Sequence, residues 1–335
     1  QIIISKYADH LPLYRQEQIY KTRHDVHISR QTMANGVGLV ADWLAPIVRE
    51  MSREQFASGY VQIDETPVKY LTPGEGKTGQ GYLWACHQPG GDSIYRWYTG
   101  RGHECLKDFV PEEFKGVIQC DAFGAYQTFR KTRNGIELSG CWAHARRKFY
   151  EAHEQGNAKA KSAHVLNQIG RLYDIEKQLR KTRAGPEERG KVRQEKSRPI
   201  IEELHQTLIT LQNSRAYLPQ SLFGKALRYA LNQWPMLTQW LEDGRVEIDN
   251  NLVENSIRPL AIGRKNWLFF GAAEAGQRSA VIYSIINSCR SRGIDPFEYL
   301  RDVLTRLPSA TNWQIPELTP KAWEEAKEQT LRIAS

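Results

Sequence analysis

The residue pattern predicts an α/β fold: a mixed sheet core with a large all-helical insertion, and helices at both ends of the chain. Three observations predict it. Runs of β-branched and aromatic residues of strand length fill the region from Tyr60 to Thr99, broken by Gly- and Pro-rich turns. A short apolar run, Gly116 to Cys120, ends directly at Asp121, and between residues 160 and 245 the apolar positions recur at helical spacing.

Taken in order, Leu13 to Arg23 can form a helix, and Ser29 is the expected N-cap of a second running through Met33, Val37, Val40 and Leu44. Two helices with a tight join suggest a helix-turn-helix with SRQTMANGV as its reading helix, although such pairs are more often packing units and Gly36 and Gly38 interrupt this one. Tyr60 to Tyr70, Gly81 to His87 and Ser93 to Thr99 read as a three-strand meander, with TPGEGKTG and QPGGD as its turns. A helix over His103 to Val110 precedes the strand at Gly116, and another strand is expected at Glu137 to Cys141. Val165, Ile169, Leu172, Ile175 and Leu179 form one helical stripe, and Ile201, Leu204, Leu208 and Leu211 a returning one, with a turn at Ala184-Gly185-Pro186. The charged stretch between them, Arg180 to Arg198, reads as a solvated helical surface. Gln277 to Ser291 reads as a helix covering the sheet, Asp295-Pro296 starts a last helix through Leu304, and Pro308 and Pro316 open a looser tail.

The chain has 335 residues, 40% of them hydrophobic, and 46 Lys and Arg against 38 Asp and Glu give a net charge of +8. That balance points to an anionic partner, nucleic acid first. The five cysteines are odd in number and scattered, with no CxxC pair, which excludes a disulfide framework and a four-cysteine zinc site and fits a reducing, cytoplasmic location. Cys141 and His144 have a C-x-x-H spacing without a second pair nearby. No run reaches the length needed to span a bilayer, so no membrane partner is expected. The opening IIISKYADHLPLY reads as the middle of a protein, and an N-terminal portion is expected to precede it.

Three acids stand out. Asp64 lies inside a strand, where aspartate is disfavoured, with Glu65 beside it. Asp121 ends a strand, where acids of α/β sheets meet ligand, although a turn cap is the alternative. Glu254 stands in IDNNLVENSIRPLAIGRKNWLFFG, behind the amides Asn250 and Asn251 and ahead of Arg258, Arg264 and Lys265. Its structural reading is a capping box with Asn251 on a helix of about two turns, unless the helix kinks at Pro259 and runs on; its functional reading is a metal ligand beside a polyanion. Carboxylates gathered in one place repel one another, and hard cations such as Mg²⁺ or Mn²⁺ turn that repulsion into binding. Two such ions suit in-line phosphodiester chemistry. In CWAHARRKFYEA, Arg146, Arg147 and Lys148 suit phosphate contact with aromatic support, or form the wet face of an amphipathic helix.

The blocks SKYADHLPLYRQEQIY, VQIDETPVKYL, QCDAFGAYQ, CWAHARRKF, EIDNNLVENSIRPLAIGRKNWLFFG and SRGIDPFEYLRDVLTRLP occur in this order, and with them the chain resembles the Insertion Sequence 66 family of transposases over nearly its whole length. The resemblance implies a ribonuclease-H-like core with Asp64, Asp121 and Glu254 as catalytic and metal-binding triad, holding Mg²⁺ or Mn²⁺, two ions. It divides the chain into a helical segment 1–55, a first part of the core 56–155, a helical insertion 156–245, the rest of the core 246–292 and a C-terminal element 293–335. His144, Arg146, Arg147, Asn250, Asn251, Arg258, Arg264, Lys265 and Arg278 are the DNA-contact candidates. The implied function is strand cleavage at transposon ends and strand transfer into target DNA, by a homo-oligomer on DNA, with accessory transposition proteins as further partners and a bacterial, nucleoid-associated setting. A nuclease or resolvase of the same fold and a domesticated DNA-binding protein are the alternatives. Two departures stand against the family pattern: Asn255 follows the acid where arginine is common, and the family's N-terminal zinc-binding, DNA-reading part has no counterpart here.

Overall fold

In the computed structural model, which describes residues 1–72, 74, 76–156 and 158–334, the chain divides into two units. Gln1–Phe114 groups with Leu252–Ser335, and Lys115–Asn251 forms the second unit. Asp121 falls in the second unit, with the helical excursion.

The first unit opens with α1 (Ile2–Tyr7) and α2 (Leu13–His24), followed by α3 (Arg30–Ala57). The Ser29 hydroxyl accepts the Thr32 N–H at 3.1 Å, the expected N-cap. Helix α3 buries Met33, Val37, Ala41, Leu44, Ile47 and Met51, spaced three or four residues apart, so SRQTMANGV forms the opening turns of a 28-residue packing helix that leaves Arg30, Gln31 and Asn35 exposed. The meander follows as β1 (Tyr60–Leu71), β2 (Thr78–His87) and β3 (Ser93–Tyr98), antiparallel throughout, with Asp64 opposite Ala85. The turn TPGEGKTG includes Pro73 and Glu75, which lie outside the described residues. Helix α4 (His103–Phe109) closes this part.

The second unit starts with β4 (Gly116–Gln119), α5 (Gly124–Thr132) and β5 (Ile136–Ser139), a β–α–β unit whose strands pair in parallel. Its helices are α6 (Trp142–Gln155), α7 (Lys159–Lys181), α8 (Pro186–Val192), α9 (Arg198–Asn213), α10 (Leu222–Asn232) and α11 (Trp234–Thr238), with a π-type turn at Arg193–Ser197. Most of the charged stretch Arg180 to Arg198 is exposed or half-buried, as a solvated surface would be, and the exception among its charges is Arg193. Arg193 is fully buried, donates to both carboxylate oxygens of Glu176 at 2.8 Å and to the carbonyls of Trp240 and Asp243, and lies over the Trp240 ring. Burial pushes the Glu176 carboxyl up, but the Arg193 and Arg189 guanidiniums outweigh it and hold the group below its ordinary value. A charge paired and hydrogen-bonded on every side can leave water; periodicity alone does not reveal its partners.

The chain returns to the first unit through α12 (Asn251–Trp267), then β6 (Phe269–Phe270), α13 (Ala273–Ser291), α14 (Pro296–Arg306) and α15 (Pro320–Ala334). Pro259 does not end α12, which carries it inside a 17-residue helix, and the expected loose tail contains a helix. Asp295 caps α14 by accepting the Phe297 N–H at 2.9 Å. Strand β6 pairs in parallel with β1, Lys69 opposite Phe269. Helix α13 covers β3 through hydroxyls: Ser288 accepts the Ser93 N–H at 3.1 Å and Ser284 the Tyr95 N–H at 2.8 Å. Four residues of helix rise about 6 Å and two residues of strand about 6.6 Å, so the two serines match alternate strand amides. Trp97 fits between Gly81 and Gly276, where any Cβ would fall within 2.4 Å of its ring. Among the described residues no helix is long and apolar enough to cross a membrane.

Candidate active site

The acids on β1 are separated by the pleat, which sends adjacent side chains to opposite faces. Glu65 is buried and meets Arg101, whose guanidinium donates to Oε1 at 2.6 Å; this is the compensation that two neighbouring acids in an apolar strand require. Asp64, on the other face, is half-buried, and its Oδ1 accepts the Glu65 N–H at 2.9 Å.

Gln62 shares the Asp64 face, two residues earlier, and is fully buried. Its Oε1 accepts the Val253 N–H at 3.1 Å, so a strand side chain satisfies one of the amides left open by the first turn of α12. Glu254 is the next residue, half-buried in that first turn. The structure thus brings Asp64 and Glu254 to one strand–helix junction of the first unit. Asn251 is itself the first helical residue, and its side-chain amide donates to Asp249 at 2.9 Å, while its backbone N–H donates to the other Asp249 oxygen at 3.1 Å. The carboxylate at the head of α12 is therefore that of Asp249, which burial raises above the ordinary aspartate range although Tyr173 donates to it.

Asp121 lies in the second unit, just beyond the C-terminal end of β4, half-buried, with Oδ1 accepting the Phe123 N–H at 2.8 Å. The turn cap is thus real, and it engages one oxygen of the carboxylate. In the same unit α6 buries Trp142, Ala145, Phe149 and Ala152 and exposes Arg146 and Arg147, with His144 half-buried between the faces. Lys148 lies over the Tyr229 ring at 4.8 Å, so it serves packing as well as charge. Cys141 is a buried thiol at the start of this helix.

Of the remaining DNA-contact candidates, Asn251, Arg258, Lys265 and Arg278 are exposed. Arg278 lays its guanidinium over Gly38, 3.3 Å from where a Cβ would stand. Arg264 is half-buried and donates to the Pro67 carbonyl of β1. Asn250 is fully buried ahead of α12. The residues missed from sequence are Gln62 and Asp249. Gln62 carried one signal, a second polar residue two positions from Asp64 on the same strand face.

Asp64 and Glu254 offer oxygen donors, with Glu65 committed to Arg101. Oxygen donors suit a hard divalent cation such as Mg²⁺ or Mn²⁺.

The transposase IS66 family model matches residues 1–278, and the IS66 C-terminal element matches residues 284–320. Curated relatives from Sinorhizobium fredii include the uncharacterized protein y4qI, 37% identical over 95% of this chain and 60% of its own length, and the uncharacterized protein y4jD, 32% identical over 96% of this chain and 65% of its own. A third, the uncharacterized protein y4hP, is 30% identical over all of this chain and 63% of its own length. The chain thus spans under two thirds of the relatives it matches. Joined with the order of its acids and basic blocks, these matches establish that the chain belongs to the IS66 transposase family.

Proposed function

We propose that the protein is a metal-dependent DNA transposase with a ribonuclease-H-like catalytic core and Asp64, Asp121 and Glu254 as its acidic centre. The observation that carries this reading is the Gln62–Val253 hydrogen bond of 3.1 Å, which keeps the Glu254 turn of α12 at the Asp64 face of β1. A carboxylate serving only as a helix cap needs no acid on a facing strand. Asp121 joins the set through family membership and through its place at a strand end.

Asp64, Asp121 and Glu254 would be the residues that hold Mg²⁺ or Mn²⁺, two ions, through carboxylate oxygens. When bound, such ions supply charge neutralisation and activation of the attacking oxygen. The exposed cations Arg146, Arg147, Arg258, Lys265 and Arg278, with Arg264 anchored on Pro67, steer and hold phosphates, while His144 and Asn251 add polar contacts. In cleavage, a water oxygen bonds to phosphorus, the P–O3′ bond breaks and the departing 3′ oxygen takes a proton. In transfer, that 3′ hydroxyl attacks a target phosphodiester and a target 3′ oxygen departs in turn. Paired ends call for a homo-oligomer on DNA, with accessory transposition proteins as partners.

The test is strand cleavage and joining on DNA carrying the ends of the element, with Mg²⁺ or Mn²⁺, for wild type and Glu254→Gln. Gln keeps the size and removes the charge. The expected result is joined product from wild type and at least a 10²-fold loss in the variant with DNA binding retained. Equal activity would make Glu254 structural, and cleavage without joining would make the protein a nuclease.

A further inference from the structure

Helix α12 ends on a residue that its geometry does not favour. Leu268 takes φ of +63°, the left-handed conformation that helix ends ordinarily give to glycine, and its N–H bonds the Arg264 carbonyl at 2.8 Å to close the helix. The side chain is 62% exposed, so burial does not offset the strained backbone. Phe269 follows and is 38% exposed, because Phe270 is fixed inward by Trp97 and Trp267, at centroid distances of 5.3 and 4.9 Å, and the pleat turns its neighbour outward. Two large apolar side chains therefore face solvent where the folding of the first unit asks for neither.

Both line a cavity of about 680 Å³ in the first unit, together with Lys69, Arg264 and Lys265. Its described lining contains three cations and no acid. Arg264 is oriented by the Pro67 carbonyl, which also lines the cavity. An apolar recess of this size edged by positive charge fits a ligand that joins a flat apolar body to an anion. A nucleotide of an unpaired strand is such a ligand: its base stacks on apolar and aromatic groups, and its phosphates meet Lys and Arg. Resting on the DNA reading above, we infer that this cavity seats one unstacked base of a DNA strand, with Leu268 and Phe269 against the base and Lys69, Arg264 and Lys265 on the flanking phosphates. The strained leucine is then retained for contact.

The inference is tested by fluorescence anisotropy with two labelled DNA duplexes of one sequence, fully paired or carrying a central three-base mismatch. Wild type is expected to bind the mismatched duplex about tenfold more tightly. Leu268→Gly, which relieves the backbone as it removes the side chain, is expected to lose that preference, keep its affinity for the paired duplex, and melt no lower than wild type. Leu268→Asn, also tolerant of the left-handed conformation, is expected to behave in the same way. A preference that survives both substitutions overturns the inference, as does wild type binding both duplexes equally. Sedimentation at the same concentrations gives the other outcome that overturns it: a wild-type dimer dissolved by Leu268→Gly would assign the surface to a second copy of the chain. Failure of wild type to bind either duplex would bring down the DNA reading itself, whereas paired-duplex binding without preference removes only the cavity's role.

Discussion

Gln62 has no charge and no solvent exposure, yet it links the two acids of the first unit, because its Oε1 accepts the N–H one residue before Glu254 and its side chain shares a strand face with Asp64. It is a positioning residue. Gln62→Leu leaves the Val253 N–H without this acceptor in a buried place, at a cost of about 1–3 kcal/mol. We expect its cleavage rate at saturating DNA to fall at least tenfold with DNA affinity unchanged, and Gln62→Glu, which keeps an acceptor, to recover most of the rate. Single-turnover cleavage and anisotropy measure the two quantities, and variants that differ from wild type only in melting temperature would make Gln62 purely structural. The candidate aspartates were legible in the sequence because aspartate is disfavoured inside a strand and because acids at strand ends of α/β sheets commonly meet ligand. Gln62 was not, because its partner lies 191 residues away.

At the scale of elements, the meander was legible nearly to its ends, since β-branched and aromatic runs between Gly- and Pro-rich turns encode strand length directly. What the pattern hid was decided by tertiary partners. Helix α12 passes through Pro259, the last helix forms where prolines suggested a loose tail, and Arg193 leaves water because Glu176 and two carbonyls meet it. The serines of α13 belong to the same class. They satisfy amides of β3, a strand with a sheet neighbour on one side only, and so protect an edge that would otherwise invite pairing with another chain. Ser284→Ala with Ser288→Ala leaves two buried amides without these acceptors, together about 2–6 kcal/mol. For a unit of this size we expect the melting temperature to drop by about 10 °C, read by thermal denaturation. An unchanged melting temperature would show that the amides find other partners.

For the whole molecule, the charge of +8 and the family membership both support the proposed nucleic-acid substrate, and the cations of α6 and α12 give each unit a surface suited to phosphate. The chain covers 60–65% of the length of these relatives. The division into units places Asp64 and Glu254 in one and Asp121 in the other, which makes Asp121 the member of the triad on which the account depends most. The direct measurement is Mn²⁺ binding, followed by the electron paramagnetic resonance of free Mn²⁺ with a DNA duplex present, for wild type, Asp64→Asn, Asp121→Asn and Glu254→Gln. One acidic centre predicts that each single substitution weakens the same tight Mn²⁺ binding by about tenfold or more. A wild-type isotherm for Asp121→Asn beside weakened binding in the other two would contradict the account.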